Sequence, residues 1–205
     1  MVVAMAAVKT YTAEEYLALE VKSETRNEYH NGEVLPMTGG TPNHNEINAN
    51  CVFLLKMTLR QQPYCIFVTD QRLWIPERDS YTYPDVMVTP RPAELKPGRK
   101  DTVVNPIVLA EVLSPSTAAY DRADKFAAYR TIATVQEYFL IAQDQPYVEQ
   151  FIKQGEHEWL FIEHQGLESV LKVRSLSVEI ALADLYEAIE FETNPDQVVT
   201  AEQGD

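Results

Sequence analysis

The sequence predicts a mixed α/β (α+β) fold: a central mixed β-sheet flanked by helices, with an antiparallel extension toward the C-terminus. Three observations predict it. Short β-branched apolar runs, Val86-Met87-Val88 and Ile107 to Leu113, have the length of core strands, not of helices. A longer stretch from Asn45 to Leu59 places Ile47, Val52, Leu54, Leu55 and Leu59 on one helical face. Beyond Tyr147, polar and apolar residues alternate, as they do in antiparallel strands with one wetted face.

In chain order, Thr12 and Glu15 have capping-box spacing before a short helix carrying Tyr16, Leu17 and Leu19. Asn31-Gly32 between two strand-like arms is a hairpin signal. Pro42 falls at or just before the first turn of the next helix, and His44 inside it. The runs Tyr64 to Thr69 and Gln71 to Pro76 read as strands with a tight turn at Asp70. Pro84 suits the first residue of a strand, where no ladder bond is lost. Pro90 to Lys100 is a proline-rich, basic loop, the expected mobile segment, whose Lys96, Arg99 and Lys100 could reach a phosphate backbone or simply be solvated. Asp121 is a candidate N-cap for a helix through Lys125 and Tyr129, which share a face four residues apart. Glu137 to Ala142 reads as a core strand, Tyr147 to Lys153 and His157 to Glu163 as its antiparallel continuation, Ser169 to Val173 as a further strand, and Ala181 to Ile189 as a short closing helix.

The chain has 205 residues, 45% of them hydrophobic, enough for one core. The expected organisation is a flexible leader over 1–9, one domain over 10–190 and a disordered acidic tail over 191–205. No apolar run approaches the roughly 20 residues of a membrane-spanning helix. Cys51 and Cys65 lack metal spacing and read as buried free thiols, which suits a reducing, cytoplasmic setting. A net charge of −14 argues against binding nucleic acid by bulk attraction. The charge is uneven. Residues 91–130 hold seven Lys/Arg against five acids, whereas residues 140–205 hold three against fourteen.

Two acids interrupt the core strands: Asp85 after Tyr83-Pro84, and Glu111 within Ile-Val-Leu-Ala-Glu-Val-Leu. A carboxylate there is costly unless it is paired, and a hard divalent cation held between two strands is one such partner. Lys125 follows on the next helix, able to orient water or stabilise a phosphoryl transition state. In this ordered set, with Glu28-Tyr-His-Asn-Gly-Glu-Val, Glu111-Val-Leu-Ser-Pro-Ser-Thr, Asp121 to Tyr129 and Glu137-Tyr-Phe-Leu-Ile, the chain resembles the Uma-two family of the PD-(D/E)XK superfamily over roughly residues 10 to 190.

The resemblance implies a restriction-endonuclease-like fold and a DNA endonuclease using Mg²⁺, with Mn²⁺ able to substitute. Asp85 and Glu111 would be the metal ligands. Lys125 and Glu28 would join them in catalysis, with His44 and Tyr129 against the substrate. The superfamily lysine usually lies two residues after the strand glutamate, where this chain has Leu113. Lys125 stands in for it, in the manner of the Uma-two pattern. The non-catalytic readings are a surface Glu28 paired with Arg26 or a lysine, a structural His44, and a Lys125 that only pairs with Asp121 or Glu111. They lead to the alternative of a catalytically silent nuclease-fold module that binds a partner protein or nucleic acid. A homodimer is expected because cutting two strands is simplest with two sites. The strands from Tyr147 to Glu163 could offer its edge or face.

Overall fold

The computed structural model describes residues 9–115 and 117–191. The leader before Lys9, Ser116 and the tail from Glu192 lie outside the described residues. The elements are α1 (Ala13–Glu20), β1 (Asn27–His30), β2 (Glu33–Pro36), α2 (Pro42–Thr58), β3 (Tyr64–Val68), β4 (Arg72–Ile75), β5 (Ser80–Thr82), β6 (Val86–Pro90), β7 (Thr102–Val103) and β8 (Val108–Leu113). A helical stretch follows, made of α3 (Ala118–Tyr120), a π turn (Asp121–Lys125) and α4 (Phe126–Tyr129). The chain then adds β9 (Glu137–Ala142), β10 (Tyr147–Lys153), β11 (Trp159–Gln165), β12 (Val170–Val173), β13 (Val178–Ala181) and α5 (Leu182–Leu185).

A six-stranded mixed sheet in the order β11-β10-β9-β8-β6-β3 carries the core. Its one parallel pair is β8–β9, and β10 and β11 extend it antiparallel, as the alternating pattern predicts. One face of the sheet (Val86, Val88, Val108, Ala110, Val112) packs on α2 through Ile47, Cys51 and Leu55, and also on β12, β13 and α5. The other (Met87, Leu109, Leu113, Leu140) packs on α4 through Tyr129 and on β4. These two sets alternate in sequence, because successive strand side chains point to opposite faces. Both cysteines are free, Cys51 buried and Cys65 partly so. Among the described residues no helix is long and apolar enough to cross a membrane.

A five-stranded sheet, β2-β1-β5-β4-β7, lies beside the first. Its β1–β2 hairpin turns at Asn31 (φ 44°) and Gly32 (φ 104°), the left-handed conformations that Asn-Gly supplies cheaply. The Thr12–Glu15 capping box forms in full, a cap worth about 1 kcal/mol.

The tight turn expected at Asp70 forms, the Gln71 N–H donating to the Val68 carbonyl, and it carries the chain from β3 in one sheet to β4 in the other. Two expectations change. Asp121 is not an N-cap. The helical stretch already starts at Ala118, and Asp121 opens the π turn with its carboxylate on Lys125. In the Pro90 to Lys100 loop, Lys96 is bonded to the Tyr81 hydroxyl and lies over the Trp74 ring, and Arg99 pairs with Asp101. The closing helix is short, as expected, and strand β13, unread in the sequence, precedes it.

Candidate active site

The ladder between β6 and β8 pairs Val86 with Ala110 and Met87 with Leu109. Continuing this register by one step sets Asp85 opposite Glu111. Directly opposed residues project from the same face with their Cβ atoms about 4.5–5.5 Å apart. Register alone therefore brings together two acids separated by 26 positions. Asp85 precedes the first residue of β6, where the strands part, and its Oδ2 accepts from the Val112 N–H at 2.9 Å. Glu111 is 3% exposed.

The helical stretch lies over this face. Its π turn directs Lys125 inward, and π turns of this kind recur at functional sites. Lys125 Nζ is 3.1 Å from Glu111 Oε2, 3.2 Å from Asp121 Oδ1 and 3.7 Å from Glu28 Oε1. Strand β1 brings Glu28 from the second sheet. Glu28 Oε2 is 3.1 Å from His30 Nε2, and Oε1 accepts from the Tyr83 N–H at 3.3 Å. Of the partners expected for a structural Glu28, Arg26 pairs with Asp70 instead, and the lysine is Lys125. His44 enters from α2. The Thr41 hydroxyl caps that helix by accepting from the His44 N–H at 3.1 Å, fixing the imidazole in the first turn, with Nε2 3.2 Å from Asp85 Oδ2. Gly40 makes room for this ring, since a Cβ there would come within 2.6 Å of His44 Nδ1.

Asp85, Glu111, Lys125, Glu28 and His44 all line one cavity of about 550 Å³. Tyr129 does not. Its ring is fully buried behind Glu111, and its hydroxyl donates to Glu111 Oε1 at 2.6 Å. The expected substrate contact is thus replaced by a positioning bond. Leu113 shares the Glu111 face of β8 but is packed into the core with Tyr129 and Tyr138. Lys125 brings an ammonium to Glu111 from the facing helix.

The charges follow from this crowding. Burial pushes the Lys125 ammonium toward neutrality, but Glu111, Glu28 and Asp121 outweigh burial and hold its pKa well above the ordinary value. Burial raises Asp85, yet the bond from His44, the Val112 N–H and Lys125 together bring it below the usual carboxylate range. Glu28 is likewise lowered, burial being overcome by Lys125 and His30. The bond to Asp85 raises His44. Glu111 goes the other way: burial, against Lys125 and reinforced by Asp85 and Asp121, pushes it up to about 8. Four carboxylates gather around one ammonium, and burial drives Glu111 toward its protonated form.

Among the described residues no three His, Cys, Asp or Glu side chains stand together as a complete metal-ligand set. Asp85 and Glu111 together offer what a hard cation of the Mg²⁺ type uses: two carboxylates, with water and substrate oxygens for the rest. The excess negative charge also favours such an ion.

Sequence reasoning missed His30 and Tyr120. The His30 ring bridges Glu28 and the Tyr120 hydroxyl, 2.8 Å from Nε2, and Tyr120 also lines the cavity. The signal for His30 was present, since Glu28 and His30 share one face of β1 by strand alternation.

These features define a protein of restriction-endonuclease-like architecture with an acid-lined cavity at the strand ends. A crystal structure described as "a putative nuclease belonging to DUF820" from Anabaena variabilis shares the fold, with a TM-score of 0.70 at 21% identity over 86% of this chain and 97% of that one. The chain belongs to the Uma2 family, described as "Putative restriction endonuclease", whose profile matches residues 13–184. It is similar to two proteins of Synechocystis sp., both described as uncharacterized. With sll1609 it is 42% identical over 162 residues, 79% of this chain and 92% of the relative. With slr1290 it is 32% identical over 180 residues, 87% of this chain and 92% of the relative.

Proposed function

We propose that this protein is a divalent-cation-dependent endonuclease that hydrolyses phosphodiester bonds in DNA. The observation that carries the reading is the meeting of Asp85, Glu111 and Lys125 at one cavity, with Lys125 Nζ 3.1 Å from Glu111. Membership of a family described as "Putative restriction endonuclease" supports it.

Asp85 and Glu111 would hold Mg²⁺, with Mn²⁺ as a substitute; when bound, such an ion supplies Lewis-acid activation of the phosphate. Lys125, kept cationic by its carboxylates, donates to a non-bridging phosphate oxygen and stabilises the charge that develops there. Glu28 holds Lys125 and His30 in place and leaves the ammonium directed at the cavity. His44, whose bond to Asp85 raises its pKa and favours the protonated ring, adds positive charge to the wall where the phosphate enters. Tyr129 keeps the Glu111 carboxylate in one rotamer.

Supercoiled plasmid incubated with the protein in Mg²⁺ or Mn²⁺ tests this. Nicking that requires the ion and is lost in Asp85→Asn and Glu111→Gln is expected. Nicking that persists in both variants, or in chelator, overturns it. The net charge of −14 favours a second reading, a silent nuclease-fold module. That reading requires DNA or protein binding that survives Asp85→Asn, with no cleavage in either ion.

A further inference from the structure

The outer face of α2 carries an open stripe. Glu46, Ala49, Phe53 and Met57, followed by Arg60 just past the helix end, recur at spacings of three, four, four and three residues, which is one side of a helix. This side is opposite Ile47, Cys51 and Leu55, which pack on the sheet. Phe53 is 62% exposed and Met57 57%, and one helical turn apart they make a single apolar ridge. Glu46 and Arg60 are also exposed, and neither is ion-paired with another described residue.

The stripe is symmetric about Phe53. Ala49 and Met57 lie four positions to either side, a small residue against a large one. Glu46 and Arg60 lie seven positions to either side, an acid against a base. We infer that this face binds a second copy of the chain, α2 against α2, antiparallel about a two-fold axis through Phe53. In that arrangement each Met57 covers the other copy's Ala49, and each Glu46 meets the other copy's Arg60. The helix dipoles oppose as well. A parallel pairing would instead stack Glu46 on Glu46 and Arg60 on Arg60. The contact is isologous and self-closing.

Strand β11, where the sequence suggests an edge, also exposes Leu160 and Phe161, but its one carboxylate, Glu163, has no basic mate along the strand. The α2 pairing matches position 44 with position 62, so the two His44 residues stand about 27 Å apart along the helix axes, one at each end of the pair. One helix pair is smaller than the roughly 1,200–2,000 Å² of stable interfaces, so the dimer is reversible and concentration-dependent.

Sedimentation equilibrium across the micromolar range tests this, with circular dichroism confirming that each variant folds, as substitutions at exposed positions should allow. The wild type is expected to pass from monomer to dimer, and Phe53→Glu to stay monomeric throughout. Glu46→Arg or Arg60→Glu alone should weaken the dimer about tenfold or more, and the two together should restore it to within about threefold. Phe161→Glu should leave it unchanged. A wild type that is monomeric throughout, a dimer indifferent to Phe53→Glu, a double exchange no better than the single ones, or a dimer lost in Phe161→Glu overturns the inference.

Discussion

Two buried glutamates in neighbouring strands of one sheet, Glu111 on β8 and Glu137 on β9, meet opposite surroundings. Glu137 is fully buried, and both of its oxygens receive neutral N–H donors: Gln150 Nε2 at 2.7 Å and the Ser175 N–H at 2.5 Å. Gln150 is itself held by the Lys172 carbonyl and His164. That network is closed and ties β9 and β10 to the turn after β12. Glu111 receives a hydroxyl and an ammonium, stands among three other acids and opens onto a cavity. A buried acid with each oxygen answered by a neutral dipole builds structure. A buried acid in a crowd of like charge, beside space for a ligand, is free to exchange its proton for something else.

The largest expected difference between the two is in cleavage. Glu111→Gln and Asp85→Asn should each lower plasmid nicking on the order of 10³-fold. Glu137→Gln should nick like the wild type while losing about 1–3 kcal/mol of stability in urea, because the new amide N–H₂ faces donors. Equal nicking losses at Glu111 and Glu137 would erase the distinction.

Next in size is Lys125→Met. Removing one partner from a buried ionic cluster costs about 3–5 kcal/mol, seen as a lower urea midpoint, and added Mn²⁺ should recover part of it. No recovery would mean that no cation replaces the ammonium.

The pH dependence sharpens the contrast further. Glu111 has a folded pKa raised from 4.5 to about 8, so its contribution is fully present below about 4.5 and is lost as pH rises toward about 8. Asp85 and Glu28 have lowered values, so their contribution is present above their unfolded pKa and is lost on acidification. Metal-free protein should therefore lose stability on both sides of a mildly acidic optimum. Glu111→Gln should reduce the alkaline loss and leave the part due to His44, whose raised pKa makes its contribution fade as pH rises, measured by thermal melts from pH 5 to about 8.5.

The smallest effect is expected for Tyr129→Phe, a rate loss of about tenfold from one buried hydrogen bond. The bond stabilises the Glu111 carboxylate, so its removal should also move the acid limb of the rate profile to higher pH. A merely structural tyrosine would leave that limb in place.

The sequence made the strands legible because a period of two and β-branched content are local properties. Asp85 and Glu111 were legible as acids in apolar runs, and Lys125 by its place after them. What set Glu111 apart from Glu137 was not legible, since Gln150 approaches Glu137 from another strand and Ser175 from the turn after β12. The substrate contact expected of Tyr129 differs for the same reason: spacing places it on the Lys125 face but does not reveal that Glu111 lies in front of it. The turn at Asp70 was legible, but its crossing from one sheet to the other was not, because a turn between two sheets and a turn within one use the same residues.

The direct test of the central claim is calorimetric titration of Mn²⁺ into metal-free protein at pH 7 in buffers of different ionisation enthalpy. About one ion should bind per chain and release close to one proton, as Glu111 exchanges its proton for the cation, and both should vanish in Asp85→Asn and Glu111→Gln. Unchanged binding in those variants, or wild-type binding with no proton released, would contradict it.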